Sequence, residues 1–205
     1  MYSARFQSNE PPAEPMTRTV FLIRHGQSTF NAHHMATGED PGHIDAPLTE
    51  LGLTQVQEAR ARMAGEHVDL VIASPLTRAI QTATGIFAGR DVAFHVTCMH
   101  REKLESSCDI GRTPAELHAE FPDLVFHHLN VRWWHDGPED ARGIPVEPHD
   151  VFVERVELFR QWLLERPERS LAVVGHGTFL RELSGVGFAN CQVVKLVGPT
   201  LVVAE

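Results

Sequence analysis

The chain reads as an α/β protein in which a parallel or mostly parallel sheet is covered by helices. Three observations point there. Short aliphatic and β-branched runs recur along the sequence, most of them separated by segments with helical periodicity. Two of the runs, Val20-Phe21-Leu22-Ile23 and Leu171-Ala172-Val173-Val174, end on a histidine beside glycine, as strands do where a sheet presents its carboxyl edge. At 205 residues the chain is long enough to bury a proper core in one unit, and no second domain is required.

Each element has its own signal. Residues 1–17 hold three prolines among polar residues and lack an apolar stretch, so a flexible leader is expected ahead of a single domain at 18–205, and not a secretory signal. A strand is predicted at 19–23. A helix follows at 51–65, where Val56, Ala59 and Met63 share a face, Thr49 caps the start and Gly65 ends it. Further strands are expected at 70–73 and 92–97, with helices at 76–87 and at 114–121, the latter opened by Pro114, whose missing N–H costs nothing in a first turn. Between 122 and 148 the pattern breaks down, which predicts a long loop or lid with Trp133-Trp134 packed inside it. The clearest helix spans 151–165, with Phe152, Val156, Phe159 and Leu163 on one stripe, Asp150 as cap and Pro167 beyond the end. Strands at 171–175, 193–196 and 201–203 close the series.

Composition excludes some functions. A net charge of -9 without any Lys/Arg run argues against nucleic-acid binding. Cys98, Cys108 and Cys191 are odd in number and form no C-x-x-C pair, so a disulfide framework or thiolate metal site is not expected, and the chain reads as a reduced, cytoplasmic protein. No apolar run approaches the roughly 18 residues that span a bilayer. His33-His34 and His127-His128 are adjacent pairs without further ligands, expected to be solvent-facing or part of the lid and to bind no metal.

The chemistry sits at the strand ends. Arg24-His25-Gly26 and Gly175-His176-Gly177 would meet over one pocket, with Arg78 arriving from Ser74-Pro75-Leu76-Thr77-Arg78 after a third apolar run. A neutral imidazole can attack phosphorus when its other nitrogen is held as a donor. Arginine forks bind phosphate oxygens in bidentate fashion and stay ionised, which suits a transition state whose charge is spread over three oxygens. The combination fits a phosphoryl group.

Arg24-His25-Gly26-Gln27-Ser28-Thr29-Phe30-Asn31 resembles the signature of the histidine phosphatase superfamily, the phosphoglycerate-mutase-like proteins. Asp45-Ala46-Pro47-Leu48-Thr49-Glu50-Leu51-Gly52, Ser74-Pro75-Leu76-Thr77-Arg78-Ala79 and Val174-Gly175-His176-Gly177 resemble its later motifs, in the same order. The resemblance implies a three-layer α/β sandwich and a covalent phosphohistidine at His25, with Arg24, Arg78 and His176 gripping the transferred group. It also implies substrate contacts from Asn31, the Gly177 backbone and Thr37 with Gly38. Asn31 has a second reading, as a residue that caps or turns the chain. An acid on the loop after the third strand would protonate the leaving oxygen; Glu102 is preferred, with Glu105 the other candidate. The expected function is a phosphatase of a small phosphorylated substrate needing no cofactor and no metal. The alternatives are a mutase, which would need a tyrosine after the acid where the chain has only Tyr2, and a phospho-ligand-binding module without turnover.

Overall fold

The computed structural model describes residues 18–198 and a short strand at 202–203. The expected leader at 1–17 lies outside the described residues. Six strands form one sheet in the order β3-β2-β4-β1-β5-β6, comprising β1 (Thr19–Arg24), β2 (Leu70–Ala73), β3 (Ala93–Val96), β4 (Ser170–Gly175), β5 (Val193–Val197) and β6 (Val202–Val203). The first four run parallel; β5 is antiparallel to β1, and β6 antiparallel to β5, so that only β5 opposes the others. The central strands are buried on both faces, which is why they read as continuous apolar runs.

Alternate strand residues feed two layers. Val20, Leu22, Ile72, Leu171 and Val173 pack under α5 (His149–Leu164) and α6 (Gly177–Ser184), through Phe152, Phe159, Leu163 and Phe179. Phe21, Ile23, Val71, Ala172 and Val174 face the other way, against Val56, Ala59 and Met63 of α2 (Glu50–Met63) and Ala83 and Ile86 of α3 (Thr77–Ile86). This is the expected three-layer sandwich. Burying a side chain such as Phe159 contributes about 1.5–3 kcal/mol, so the two faces hold the sheet rigid enough to fix a site at its edge.

Two helices escape the sequence pattern: α1 (Thr29–Thr37) and α6. Among α1 residues only Phe30 is buried, and α6 has just eight residues, so neither shows a long apolar period. The helix predicted at 51–65 stops earlier: Ala64 is its right-handed C-cap, and Gly65 lies beyond. Asp150 does not cap α5; Pro148 occupies that position, and Asp150 sits in the first turn, where its charge favours the helix dipole. α4 (Pro114–Glu120) matches expectation, with Thr113 and Glu116 forming a capping box.

The 122–148 excursion carries no helix or strand, yet it is packed. Phe126 and Trp133 join Leu76, Ile80, Val96 and Leu117 in a third cluster against the β3 edge, and the Trp133 indole donates to Arg112 O at 2.8 Å. Trp133 is thus a packing residue. His127 and His128 are both exposed on this excursion, and His128 also anchors it, its Nε2 2.7 Å from Val96 O and its ring stacked on His95.

Candidate active site

Register brings the two histidines together. β1 and β4 end side by side, with Arg24 opposite Gly175. The next residues, His25 and His176, therefore leave the same sheet edge as neighbours; the His25 amide donates to Gly175 O at 2.9 Å, and the imidazole centroids are 5.2 Å apart. Both side chains are buried. The loop after β1 lies tight against the start of α2, where a Cβ on Gly26 would fall 2.8 Å from Gly52 O. Glycine is needed at Gly26 for that backbone approach.

His25 Nδ1 lies 2.7 Å from Gly26 O, an acceptor only, so Nδ1 carries the proton and Nε2 holds the lone pair. Burial, then the charges of Arg78 and Arg24, push the His25 pKa well below the ordinary histidine value and keep the ring neutral. Arg78 Nε donates to His25 Nε2 at 3.3 Å. The rest of that guanidinium is fixed by Cys108 O at 2.6 Å and by Asp109 Oδ1 at 2.8 Å, so Arg78 makes a buried ion pair and not a surface one. Arg78 is in turn aimed by Asp45, which accepts from Thr77 N at 2.7 Å and Thr77 Oγ1 at 2.5 Å. It thereby caps α3, whose own N-cap Leu76 offers no oxygen.

His176 Nε2 lies 2.7 Å from Ser74 Oγ, while its buried Nδ1 has no partner. With the Ser74 hydroxyl donating to Nε2, the proton falls on Nδ1, which is left as a buried donor without an acceptor. Burial and the neighbouring Arg78 lower the His176 pKa well below the ordinary value. Arg24 Nη1 donates to Phe188 O at 2.7 Å, and its buried Nε is also unpartnered. A Cβ on Gly177 would sit 3.2 Å from that Nε, so Gly177 leaves Arg24 its room.

Glu102 follows β3 and sits at the N-terminus of α6. Its carboxylate accepts from Thr178 N at 3.0 Å, Phe179 N at 3.1 Å and Lys103 N at 3.0 Å. Burial, reinforced by the nearby Asp109 carboxylate, raises its pKa above the ordinary glutamate value. The loop that carries it is clamped from beneath. Arg155 of α5 donates to Met99 O, Arg101 O and Glu102 O, while the buried Glu147 binds both Arg155 and Arg101. Glu105 points away, exposed and paired with Lys103 at 2.5 Å. A cavity of about 310 Å³ opens between Arg24, Glu102, Gly177, Thr178 and Phe188.

The structure thus gathers His25, Arg24, Arg78, His176, Glu102 and Gly177. Asn31 is drawn in as a cap: its Oδ1 accepts from Ser28 N at 3.2 Å while its own amide binds Ser28 Oγ, and it meets Asn190, which donates to His25 O. Thr37 is exposed at the end of α1, its hydroxyl bonded to His33 O and not to any of these groups. Two supporting residues were not legible in sequence as site residues. Asp109, 31 positions from Arg78, is signalled only as an acid in an unpatterned loop; Ser74 lies in a motif quoted for its arginine. Among the described residues no group of three or more His, Cys, Asp or Glu is arranged to hold a metal, and no helix is long and apolar enough to cross a membrane.

Comparison with known proteins bears on this geometry. The family model for the histidine phosphatase superfamily (branch 1) matches residues 20–187. A phosphoglycerate mutase-like protein of Arabidopsis thaliana is 30% identical over 220 residues, covering 87% of this chain and 78% of that protein. Glucosyl-3-phosphoglycerate phosphatase of Mycobacterium tuberculosis is 25% identical over 169 residues, covering 82% and 74%. Among solved structures, the ecdysone phosphate phosphatase of Bombix mori in complex with tungstate aligns with a TM-score of 0.64 at 21% identity, covering 92% of each chain.

Proposed function

Since the chain belongs to the histidine phosphatase superfamily, we propose that it hydrolyses a small phosphomonoester through a phosphohistidine at His25, without a metal or other cofactor and without nucleic acid as partner. One observation carries the reading: Gly26 O locks the proton on His25 Nδ1, so the buried, neutral ring presents its Nε2 lone pair to Arg78 beside the second imidazole. The Arg78 Nε contact marks where a phosphoryl oxygen would replace the lone pair as acceptor. Relatives named as phosphatases of different organic phosphates, glucosyl-3-phosphoglycerate and α-ribazole phosphate, support hydrolysis over simple binding.

In this mechanism His25 Nε2 attacks phosphorus and the bond to the leaving oxygen breaks, with Glu102 supplying the proton to that oxygen. Water then attacks phosphorus, the P–N bond breaks, Glu102 takes the water's proton and His25 returns to its neutral form. Arg24, Arg78 and His176 Nδ1–H hold the three equatorial oxygens, positions at which fixed donors lower the barrier most. The raised Glu102 pKa keeps the acid protonated at higher pH than an ordinary carboxyl.

The test is turnover of an aryl phosphate by wild type and by His25→Ala, with acid-quench trapping of labelled phosphoryl-enzyme. Wild-type activity that survives chelators, a trapped label lost in the variant, and no turnover by the variant are expected. Undiminished turnover by His25→Ala overturns the proposal.

A further inference from the structure

We propose that Arg181 forms a second anion site beside the phosphoryl site, so that the preferred substrates are phosphomonoesters bearing another negative group, a carboxylate or second phosphate, one helical turn away. The inference rests on the phosphatase reading and narrows its substrate class.

Arg181 lies on α6 four residues after Gly177, so the two share one face of the helix, separated by about 6 Å along its axis. Gly177 lies against the guanidinium of Arg24, and Arg181 lines the same 310 Å³ cavity as Arg24, Glu102 and Phe188. Arg24, Gly177 and Arg181 therefore border one cavity, with Arg181 a helical turn from the residue that lies against Arg24. Among the described arginines and lysines Arg181 is the one whose side chain has no hydrogen bond or ion pair to a protein acceptor. Arg169 has a partner of its own, and the others across the molecule are tied to carboxylates, carbonyls or both.

One acid, Glu102, lines this cavity and acts on Arg24, but it makes no ion pair with Arg181. Both Glu102 oxygens are turned to the backbone N–H groups of Thr178, Phe179 and Lys103, and no other carboxylate lines the walls. In a chain with a net charge of -9 this cavity is lined by two guanidinium groups against one carboxylate, and the Arg181 guanidinium is exposed and unpaired. A planar fork of N–H donors suits a carboxylate or phosphate, and the half-open position lets the group enter with the substrate.

Three probes separate the possibilities: 3-carboxyphenyl phosphate, 1,3-phenylene bisphosphate and the neutral 3-carbamoylphenyl phosphate. Wild type should show kcat/KM for one or both anionic probes higher than for the carbamoyl probe by about ten- to a hundredfold, the range of a charge-assisted contact. In Arg181→Met that ratio should fall to about one, and Arg181→Lys should restore part of it. The carboxyl and bisphosphate arms tell which anion is preferred. Calorimetric binding of the same compounds to His25→Ala gives a readout independent of turnover. Turnover with no charge preference in wild type, or a preference that persists in Arg181→Met, overturns the second site and leaves the phosphatase reading intact. Charge-dependent binding lost in Arg181→Met, without turnover of any probe by wild type, keeps the second site and overturns the phosphatase reading.

Discussion

Replacing Asp109 by asparagine tests how the site aims its second arginine. The Arg78–Asp109 pair is closed at 2.8 Å with both side chains almost wholly buried, 3% and 6% exposed. Breaking a buried ion pair by removing one charge costs about 3–5 kcal/mol, because the remaining charge stays desolvated. Asparagine keeps an oxygen for Arg78 but offers an NH2 where Oδ2 accepts from Glu105 N at 3.3 Å and Ser106 N at 3.2 Å. With one contact kept and two set donor against donor, a loss of about 3 kcal/mol in urea unfolding is expected. Asp109 acts on the reaction by positioning Arg78, and a misaimed donor to the phosphoryl oxygens should lower kcat by about a hundredfold.

A readout that a purely structural role would not move is the alkaline limb of the pH–kcat profile. Asp109 raises the Glu102 pKa, and Arg78 lowers it. Burial remains the main cause raising the Glu102 pKa, but removing the Asp109 charge takes away the second, so Glu102 should lose its proton at lower pH and the alkaline limb should move toward acid. Stability within about 0.5 kcal/mol of wild type, the scatter of neutral surface changes, would refute the ion-pair argument. An unmoved limb would refute the coupling to Glu102.

Two further expectations concern single groups. Glu102→Gln should lower kcat by about 10²–10⁴-fold and abolish the alkaline limb, while Glu105→Gln, exposed and paired only with Lys103, should stay within about twofold of wild type; the reverse pattern in paired pH–rate profiles would exchange their roles. His100 is buried against Phe159 with its pKa lowered to about 3, chiefly by burial, so the unfolded chain binds a proton below about pH 6.5 that the fold refuses, and stability from this group falls as pH falls. His100→Gln, whose amide can still donate to Val174 O, lacks that penalty. Its deficit against wild type should shrink by about 2 kcal/mol between pH 7 and 5, and parallel urea stabilities at the two values would sink the assignment.

The strands were legible because each central one is buried on both faces and must be apolar throughout; β2 was readable to the residue, and the others to within two. The histidines at the ends of β1 and β4 followed from those endings. What the sequence hides is partnership. Arg78 is visible as a motif residue, but that Asp109 holds it depends on a loop folding back after β3, and Asp109 has no spacing that announces this. Glu102 outranks Glu105 by position in the motif, yet the reason it is fixed lies in Arg155 and Glu147, which arrive from α5 and from the end of the excursion. Short helices fail for a related cause: α6 shows too few turns for a period, although its N-terminus places Gly177, Thr178 and Arg181 around the cavity.

The acidic balance of the chain and its anion-binding site are reconciled by where the carboxylates point. Asp45 faces Thr77 and Arg112, Asp109 faces Arg78 from behind, and Glu102 faces the N–H groups of α6. Each acid near the site orients a donor without standing between that donor and an incoming phosphoryl group. Arg78 keeps its Nε directed at His25 while Asp109 pairs with another of its nitrogens, and Arg24 keeps a buried Nε–H without an acceptor although Glu102 borders the same cavity. Low-dielectric surroundings strengthen donors arranged in this way and would penalise them if left uncompensated, so a net negative protein can hold one buried and one half-buried guanidinium group beside the proposed phosphoryl site.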